Sequence, residues 1–521
     1  LTGQTPGPRR MLGLHFPLPL TKDPEDILMA DKYLADDTAP LYKGATGSER
    51  VLNLLWGDGV RILEAGATRT KVRARGRIGF VANSALGDVS LLEVYFIDVG
   101  QGDGILIRTP DGRHIMIDGG YDRSGQPTGK NAADFVDWKF FKDYGLKQIH
   151  LDAMLASHCD ADHYGGLSDL LNVEQIAELD AQDVRVDAFY HAGVAWWINP
   201  TTKKRWLGAV TPDKKFLTQL MNDRPQIAAA LATGANPKLQ GDWADFMGHV
   251  TKAKTLTDEP TLIKRLSQTD QFVPGFVAGP GTVSLRVLAP FESTINSAPA
   301  LHNFSSAADK NTNGNSLLLR LDYGRARILL TGDLNSDSQR ALLNDYIGSR
   351  LEFQCDVAKA CHHGSDDVSY EFLSAMRPAV TVISSGDEEG HDHPRPAIVA
   401  ASATTGYLEI QNDEIVTPLV YSTELARSLS MGRVSKVTLH DPTGDKTVAT
   451  DQLKTISVEA KVTKAGDLNP TTVTRTLDRT MIVAGLIYGL VNVRTDGHTI
   501  LCATLNEKDE TWNIKKVKSR F

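Results

Sequence analysis

The chain has 521 residues, of which 41% are hydrophobic, and a formal net charge of -8. This length and composition predict two to four globular domains and exclude a disordered chain, and the negative charge disfavours a protein that binds nucleic acid along a groove by electrostatics alone. The longest apolar run, 481–491, is much shorter than the roughly 20 residues that a membrane span needs, so we expect no such span.

The sequence pattern of the N-terminal part of the chain changes after its first 26 residues. We expect residues 1–26 to be a tether with a trimmed or added end, because they are rich in proline and lack a signal-peptide pattern. In 27–88, strand-like runs at 51–63, 70–75 and 77–81 alternate with glycine-rich turns, which predicts a small β-barrel. With its Gly-Phe-Val ending, the run resembles a bacterial SH3-like domain, which implies a peptide or protein ligand. A structural appendage without a ligand is the alternative.

A row of basic residues lies inside this predicted barrel. Lys71, Arg73, Arg75 and Arg77 alternate with smaller or apolar residues, so in a strand their side chains would lie on one face. Such a face can meet a phosphate backbone, or it can simply be solvated.

The next segment reads as a meander of short strands. Strand-like runs at 93–99 and 105–108 flank a glycine-rich turn, and a third run, 114–120, carries Asp118 near its end. No Gly-Lys-Ser/Thr follows the turn, which excludes a phosphate-binding P-loop.

The most informative stretch is Ser-His-Cys-Asp-Ala-Asp-His-Tyr-Gly-Gly at 157–166, which follows an apolar run, 151–156, of strand length. We expect its polar residues to lie in a loop at the end of that strand, with a helix starting near Leu167. Two imidazoles and two carboxylates within six residues suit a metal site, because nitrogen and oxygen donors must converge on one cation. The candidate ligands are His158, Asp160, Asp162 and His163.

This stretch resembles the metal-binding signature of the metallo-β-lactamase superfamily, His-x-His-x-Asp-His, with Asp160 in place of the second histidine. Together with Phe-Ile-Asp-Val-Gly-Gln-Gly-Asp and Ile-Asp-Gly-Gly in the meander, it is similar to the branch that contains the hydrolase domain of the DNA-uptake protein ComEC. The resemblance covers roughly residues 91–400. It implies an α/β fold, the αββα sandwich, in a domain at 89–425. It also implies that Asp118 supports the metal loop rather than binding metal.

Residues 172–281 are expected to form an insertion on this scaffold. Because loops beside an active site commonly shape the substrate cleft, Trp197, Lys204 and Arg205 are candidates for substrate contact. Ordinary packing of a helical insertion is the alternative.

A predicted hairpin at 316–331 ends in Leu-Leu-Thr-Gly-Asp, which resembles the bridging-aspartate motif of the superfamily and gives Asp333 that role. The family pattern usually supplies a histidine before the preceding strand, whereas this sequence has Asn313 and Asn315 in that region. The departure leaves one metal short of a ligand, or held by asparagine or water.

Two more apolar runs end in histidines. The first leads into His362 and His363 in a His-His-Gly-Ser motif, and the second into Gly-His-Asp-His-Pro. The resemblance implies that both motifs line the site. Either His391 or His393 is the ligand in the second motif, and we favour His393 because a proline follows it. Of His362 and His363, we expect one to face the metals and substrate and the other to pack or orient a neighbour, unless both are structural.

Residues 426–521 predict a β-rich extension packed on the core. The four cysteines lack a metal-binding spacing, so free thiols and a cytoplasmic location are expected, with a secreted form left open.

These motifs predict a binuclear metal-dependent hydrolase, a phosphodiesterase or nuclease that acts on DNA, RNA or a smaller nucleotide through a metal-activated water. Because the superfamily also hydrolyses lactams, lactones and thioesters, such an acyl substrate is the main alternative, and a binding protein with a decayed site is a third. The cofactors would be two divalent ions, zinc or manganese. The predicted metal ligands are His158, Asp160, Asp162, His163, Asp333 and His393, and the predicted catalytic residues are Asp162, His362 and His363.

Overall fold

The computed structural model describes most of the chain. The described residues are 30–126, 129–386, 393–423, 436–439, 443–444, 446–449, 455–462, 471–478, 490–506 and 511–521. The predicted tether and His391 lie outside these ranges. No helix within them is long and apolar enough to cross a membrane. All four cysteines are buried free thiols, which confirms that prediction.

Strands outnumber helices in the first half of the chain. The strands are β1 (Lys32–Leu34), β2 (Thr38–Tyr42), β3 (Arg50–Leu55), β4 (Gly59–Glu64), β5 (Arg69–Ala74), β6 (Arg77–Ala82), β7 (Leu86–Gly87), β8 (Leu92–Phe96), β9 (Gly104–Arg108), β10 (His114–Gly119), β11 (Gln148–Leu151), β12 (Ala153–Ala156), β13 (Asp183–Val186), β14 (Ala188–His191), β15 (Trp197–Ile198), β16 (Arg205–Trp206), β17 (Phe216–Leu217), β18 (Lys238–Leu239) and β19 (Leu262–Arg265). The helices are α1 (Ala132–Asp137), which a π-helical segment (Trp138–Tyr144) follows, α2 (Ala161–Leu171), α3 (Arg224–Leu231) and α4 (Gly241–Lys252).

The second half has a similar mixture. Its strands are β20 (Ser284–Ala289), β21 (Glu292–Ile295), β22 (Ala298–His302), β23 (Leu318–Tyr323), β24 (Ala326–Leu330), β25 (Val357–Lys359), β26 (Val380–Ile383), β27 (Glu409–Gln411), β28 (Glu414–Thr417), β29 (Leu419–Ser422), β30 (Lys436–Leu439), β31 (Lys446–Ala449), β32 (Thr455–Val462), β33 (Thr471–Asp478), β34 (Val491–Thr495), β35 (Thr499–Asn506) and β36 (Thr511–Lys518). Its helices are α5 (Ala308–Gly314), α6 (Ser336–Asp345), α7 (Tyr370–Met376) and α8 (Pro396–Thr405).

The N-terminal strands form an antiparallel sheet in the order β3-β2-β6-β5-β4-β1-β7. Leu41, Val72 and Val81 belong to an apolar cluster of its own. Buried and partly exposed residues alternate along β5, so the basic residues of that strand lie on the face opposite the cluster. The resemblance to an SH3-like domain stays a prediction.

The first core sheet has the order β19-β14-β12-β10-β9-β8-β34-β35-β36. Four of these strands, β10, β12, β14 and β19, run parallel, and the others pair antiparallel. The prediction of an insertion at 172–281 is therefore wrong in part, because β14 and β19 belong to this sheet. Strands of four residues show too little periodicity to be recognised from sequence. The C-terminal region, 426–521, contributes β34, β35 and β36 to the same sheet.

The second core sheet has the order β20-β23-β24-β25-β26-β29. Its strands from β24 to β29 run parallel, whereas β20, β23 and β24 pair antiparallel. The hairpin of β23 and β24 confirms the one that the sequence predicts at 316–331.

The two core sheets pack face to face, and helices cover their outer faces. Ile117 and Ile328 belong to the apolar cluster between the sheets. Met116 belongs to the cluster that the first sheet shares with α1, α2 and α4, and Leu329 to the one that the second sheet shares with α6, α7 and α8. Neighbouring residues of one strand thus enter different clusters, because successive side chains point to opposite faces. The predicted αββα sandwich is confirmed.

A cluster of buried charges joins the N-terminal sheet to the first core sheet, and we call it the seam cluster. Arg494 of β34 forms an ion pair with Asp58 at 2.8 Å and donates a hydrogen bond to the Trp56 carbonyl at 2.7 Å. Arg108 of β9 pairs with Glu93 of β8 at 3.0 Å. The members of the seam cluster are Asp58, Glu93, Arg108, Lys139, Asp143 and Arg494.

Candidate metal centre

Chain segments that follow three buried strands meet at one edge of the sandwich. β12 is followed by His158, β24 by Asp333 and β25 by His363. The carboxyl ends of parallel strands lie on one side of a sheet, where side chains from separate strands converge in a crevice.

The segment after β12 differs from its prediction. Helix α2 begins at Ala161, so Asp162 and His163 lie in its first turn and not in a loop, and the prediction of a helix start near Leu167 is wrong. Gly165 and Gly166 do not end a loop. They lie in α2 and let its backbone pack closely against residues 119–122. A Cβ atom on Gly165 would lie 2.1 Å from the backbone nitrogen of Asp122, and one on Gly166 would lie 2.1 Å from the carbonyl oxygen of Gly119.

Four side chains, His163, His363, Asp333 and Asp162, which we call the primary site, bring donor atoms together around two imidazole nitrogens. Nε2 of His163 lies 3.2 Å from Nε2 of His363. Oδ2 of Asp333 lies 3.3 Å from the first of these nitrogens and 2.9 Å from the second. Carboxylate oxygens of Asp162 lie 3.9 Å and 3.5 Å from the same two nitrogens. Ligand atoms on a tetrahedral zinc ion with bonds of about 2.0–2.1 Å are about 3.3 Å apart, so this set fits a metal ion.

Carboxylates hold the far side of both primary-site imidazoles. Nδ1 of His163 lies 2.9 Å from Oδ2 of Asp118, and Nδ1 of His363 lies 3.2 Å from Oδ1 of Asp103. A carboxylate keeps a proton on Nδ1, which directs the Nε2 lone pair to a metal. Asp118 also accepts a hydrogen bond from the backbone N–H of Ser157 at 2.7 Å, so it links His163 to the start of the segment that carries His158.

His158 and Asp160 form a second group, the secondary site. Nε2 of His158 lies 3.6 Å from Oδ2 of Asp160, and within the described ranges this buried nitrogen has no hydrogen-bond partner. Its Nδ1 contacts the hydroxyls of Ser157 at 3.1 Å and Ser316 at 3.3 Å. Thr312 donates a hydrogen bond to Asp160 at 2.6 Å. An unpartnered buried imidazole nitrogen beside a carboxylate is a fitting pair of donors for a second cation.

Burial and neighbouring charges shift the pKa values in the primary site. Burial would lower the pKa of His163 and of His363, but Asp333 beside both raises it well above the ordinary value. Burial would raise the pKa of Asp162, but the two imidazoles lower it. Imidazolium charges therefore balance the carboxylates here, and a divalent cation would take over this role with release of protons.

The secondary site shows the opposite shifts. Burial lowers the pKa of His158 to about 3 and raises that of Asp160 to about 6. His158 is thus neutral at pH 7, which is the form of imidazole that binds metals.

Two residues of the site, Asp103 and Lys359, have no role assigned from the sequence. Lys359, at the end of β25, is fully buried and forms ion pairs with Asp103 and, at 3.6 Å, with Asp333. It also donates a hydrogen bond to the carbonyl of Gly332 at 3.0 Å. The signal for Lys359 was a lone charge in an apolar strand that leads to the histidines, since such a charge needs a buried partner.

The three described histidines of the two histidine motifs, His362, His363 and His393, occupy different places. His363 belongs to the primary site, whereas the side chain of His362 is 25% exposed and its Nε2 lies 3.8 Å from Oδ2 of Asp333. The ring of His393 lies 5.8 Å from that of His362 and 6.5 Å from that of His363, measured between centroids. The structure thus brings His363 to within 2.9 Å of Asp333, and the choice of His393 as a ligand stays a prediction. His391 lies outside the described residues.

The two predicted asparagines have separate surroundings. Nδ2 of Asn313 lies 3.3 Å from Nε2 of His362, which places it beside the cleft. Nδ2 of Asn315 donates hydrogen bonds to the carbonyls of His302 and Asn311 at 3.0 Å and 2.9 Å, so this residue holds the end of α5.

The three predicted substrate contacts are also separated. Trp197 is buried in the apolar cluster around α2 and α4, so it does not reach a substrate. Lys204 and Arg205 are exposed. The guanidinium of Arg205 stacks 3.6 Å above the ring of Trp196, whose Nε1 donates a hydrogen bond to the carbonyl of Cys159 at 3.1 Å. Arg205 is therefore tied to the metal loop.

Two mixed sheets covered by helices, with buried imidazoles and carboxylates at their strand ends, define the metallo-β-lactamase fold. The family model of the metallo-beta-lactamase superfamily matches residues 97–217, so this region is similar to the domains of that superfamily.

Individual relatives match only in part. ComE operon protein 3 of Bacillus subtilis (strain 168) is 24% identical over 316 residues, which are 59% of this chain and 30% of that protein. Competence protein ComA of Neisseria gonorrhoeae is 39% identical over 87 residues, 16% of this chain and 12% of that protein. The chain thus spans less than a third of the length of these relatives, and the matches support the resemblance to the ComEC-like branch. A solved metal-dependent hydrolase of the beta-lactamase superfamily, Tm1679, is similar with a TM-score of 0.29 at 12% identity, over 64% of this chain and 95% of that one.

Proposed function

We propose that this chain is a binuclear metal-dependent hydrolase that cleaves phosphodiester bonds. The observation that carries the proposal is the adjacency of the primary and secondary sites. Asp162, His163 and His158 offer ligand atoms within 4.8 Å of one another, so one group of donors extends into the other. Two divalent ions held side by side supply an activated water and offset charge on the attacking and leaving oxygens of a displacement at phosphorus.

The rim of the site favours an anionic substrate over a lactam or thioester. Arg205 is an exposed cation fixed by stacking on Trp196 beside the metal loop. A planar guanidinium binds phosphate oxygens in pairs, whereas a neutral carbonyl group offers it no anionic oxygen.

His362 is the side chain placed to serve the leaving group. It faces the cleft between Asp333 and Asn313, and its partial exposure leaves an edge open to a substrate. A hydrolase that expels an alkoxide needs a group that delivers a proton, and imidazole suits this role near neutral pH. We assign proton delivery to the His362 ring, which Asn313 orients through the 3.3 Å contact between its Nδ2 and Nε2 of His362.

The donor set also bears on the choice of metal. Asp160 stands where the superfamily signature has an imidazole, and Asn313 lies where another histidine is usual, so the secondary site is rich in oxygen. Harder ions prefer such ligands. We expect manganese to activate the protein at least as well as zinc at equal occupancy. If zinc supports turnover and manganese at equal occupancy does not, this expectation is wrong.

The proposed function is tested by turnover of the metal-loaded protein on bis(p-nitrophenyl) phosphate, a chromogenic cephalosporin and a thioester. We expect hydrolysis of the phosphodiester alone. His362→Ala should lower kcat on the order of 100-fold with metal content unchanged, whereas His363→Ala should lose metal. Hydrolysis of the cephalosporin or thioester without the phosphodiester would make the acyl alternative correct, and failure to bind any metal would favour a binding protein.

We also infer that residues 27–88 form an SH3-like accessory module. Two observations support this inference. The N-terminal sheet has an apolar cluster of its own, and no residue of it belongs to any of the three groups of possible metal ligands among the described residues. A chain that begins at Ser90 should keep its metal content and its turnover of the small substrate. Loss of either one from a folded protein would show that the N-terminal sheet helps to build the site.

A further inference from the structure

An open groove lies between the N-terminal sheet, the π-helical segment after α1 and the end of β35, and we call it the seam groove. It encloses about 420 Å³. Its walls are formed by Leu52, Asn53, Arg75, Gly76, Arg77, Trp138, Lys142 and Leu505.

The charges in the seam groove are all of one sign. Among its described lining residues, Arg75, Arg77 and Lys142 are cations and none is a carboxylate. Lys142 pairs at 2.9 Å with Asp180, but both side chains are about half exposed, so the pair is weak. Since the whole chain carries a net charge of -8, this local excess of positive charge does not follow from composition.

A smaller cavity continues the positive surface along β5 and shares Arg75 with the seam groove. Each carboxylate in its wall already has a cation. Asp58 pairs with Arg494 at 2.8 Å, Glu93 with Arg108 at 3.0 Å and Asp143 with Lys139 at 2.6 Å. The remaining cations of the wall are Arg61, Arg73 and Arg75. They face no carboxylate of the cavity wall that lacks its own partner.

Trp138 adds an aromatic surface to these cations. It is 36% exposed, which is unusual for a residue of this size, and its inner side packs on Phe135 with ring centroids 6.0 Å apart. An indole fixed from behind and open to solvent can stack on a nucleobase, and guanidinium groups beside it can meet the phosphates on either side.

We propose that the seam groove binds single-stranded nucleic acid, with the phosphates on Arg75, Arg77 and Lys142 and a base on Trp138. The inference rests on the proposed phosphodiesterase function and names its substrate class. In a duplex the bases are stacked on one another, so a duplex could contact the cations of the groove but could not stack a base on Trp138. An acidic peptide would match the charge and leave the indole without a partner.

The test is fluorescence anisotropy with a fluorescein-labelled oligo-dT, a duplex of equal length and poly-glutamate as competitor. The full chain is used with EDTA, so that cleavage cannot occur. Oligo-dT should bind more tightly than the duplex, and poly-glutamate should compete poorly. Equal binding of strand and duplex, or equal competition by poly-glutamate, would overturn the proposal.

Variants separate the two kinds of contact. Arg77→Glu should weaken oligo-dT binding and reduce the slope of log Kd against log salt by about 1. Trp138→Ala should weaken binding about 5- to 100-fold and leave the slope unchanged. The matched controls are Arg340→Glu on α6 and Tyr370→Ala on α7, which are exposed residues outside the groove and should bind like wild type. A groove variant that binds like its control would contradict the assignment.

The outcomes for the groove and for the proposed function are distinguishable. Turnover of bis(p-nitrophenyl) phosphate by the metal-loaded wild type tests the metal centre, and anisotropy in EDTA tests the groove. If turnover fails while oligo-dT binds as expected, the proposed function is wrong and the groove assignment stands. If turnover succeeds and oligo-dT does not bind, the groove assignment alone is wrong.

Discussion

The metal centre, with its supporting carboxylates Asp103 and Asp118, and the seam cluster are both buried groups of charges, and they lie at opposite ends of β9 and β10. Asp103 directly precedes β9, whereas Arg108 ends it. Asp118 lies at the end of β10, whereas His114 begins that strand next to Arg108. One pair of strands therefore supports two charged groups of different kinds.

The two groups differ in how their charges are balanced. Every carboxylate of the seam cluster has a cation of its own within 3.0 Å. In the metal centre, Asp103 and Asp333 share one permanent cation, Lys359, and the remaining balance, including that of Asp162, depends on protons held by imidazoles. The seam cluster, in which each carboxylate has its own cation, stabilises the contact between the N-terminal sheet and the first core sheet. The metal centre has an excess of carboxylates and is therefore suited to bind an external cation.

The largest expected effect comes from removing the carboxylate that both primary-site histidines share. Asp333→Asn should lose metal from the primary site and lower turnover on the order of 1000-fold. Metal content by elemental analysis and turnover of the phosphodiester measure the two effects. Asp337→Asn on the exposed face of α6 is the control. Wild-type metal content in Asp333→Asn would remove Asp333 from the ligand set.

Breaking the seam cluster should affect stability and spare the metal centre. Arg494→Met leaves Asp58 and Glu93 short of a buried cation, so the free energy of unfolding should fall by about 3–5 kcal/mol. Lys516→Met removes the exposed pair with Asp37 and should cost less than about 1 kcal/mol. Urea unfolding measures both variants. If folded Arg494→Met has lost metal, the two clusters are coupled and the comparison fails.

Asp103 connects the permanent cation to the metal ligands. Asp103→Asn removes the charge that holds Nδ1 of His363 and pairs with Lys359, so metal affinity should fall about 10- to 100-fold. Asp118→Asn tests the corresponding contact on His163. Competition with a chelating dye gives both affinities. An unchanged affinity in either variant would mean that the imidazole keeps its orientation without the carboxylate.

The smallest effect concerns His191, a buried histidine of β14 that belongs to neither cluster. Burial and the nearby Arg265 lower its pKa to about 3, so the unfolded chain binds a proton between about pH 3 and 6.5 that the folded protein does not. Stability therefore falls as the pH drops below 6.5, by about 2 kcal/mol between pH 8 and 5. His191→Gln should reduce this pH dependence of urea unfolding. An unaltered slope would show that His191 is protonated in the folded state.

Much of the metal centre was predictable because its signals are local. Apolar runs that end in His158, Asp333 and His363 indicate strand ends, and strand ends of one sheet meet at one edge. The start of α2 was not predictable, since Gly165 and Gly166 indicate a turn unless the backbone of Gly119 is known to pass beside them.

Contacts between distant segments explain the other errors. Asp103 and Lys359 lie 256 residues apart, and nothing in either local sequence names the partner. The preference for His393 over His391 as a ligand rests on Pro394 alone and stays a prediction, whereas the contact between His363 and Asp333 joins two separate strand ends. The basic row from Lys71 to Arg77 was visible, but it spans the turn between β5 and β6, and the hydrogen bond from Arg73 to the carbonyl of Lys142 could not be predicted from it.

The pairing of β34 with β8 has a consequence for how the protein folds during synthesis. Strand β8 is among the first of the core to leave the ribosome, yet its neighbour arrives about 400 residues later, and Arg494 is separated from Trp56 by 438 residues. Until then one edge of the first core sheet has unpaired backbone groups, which is a hazard for aggregation, and such distant pairing is slow. At a synthesis rate of about 5–20 residues per second, the chain spends roughly 20–80 s in this state. Chaperone binding to the nascent chain is therefore expected to be strongest in this interval.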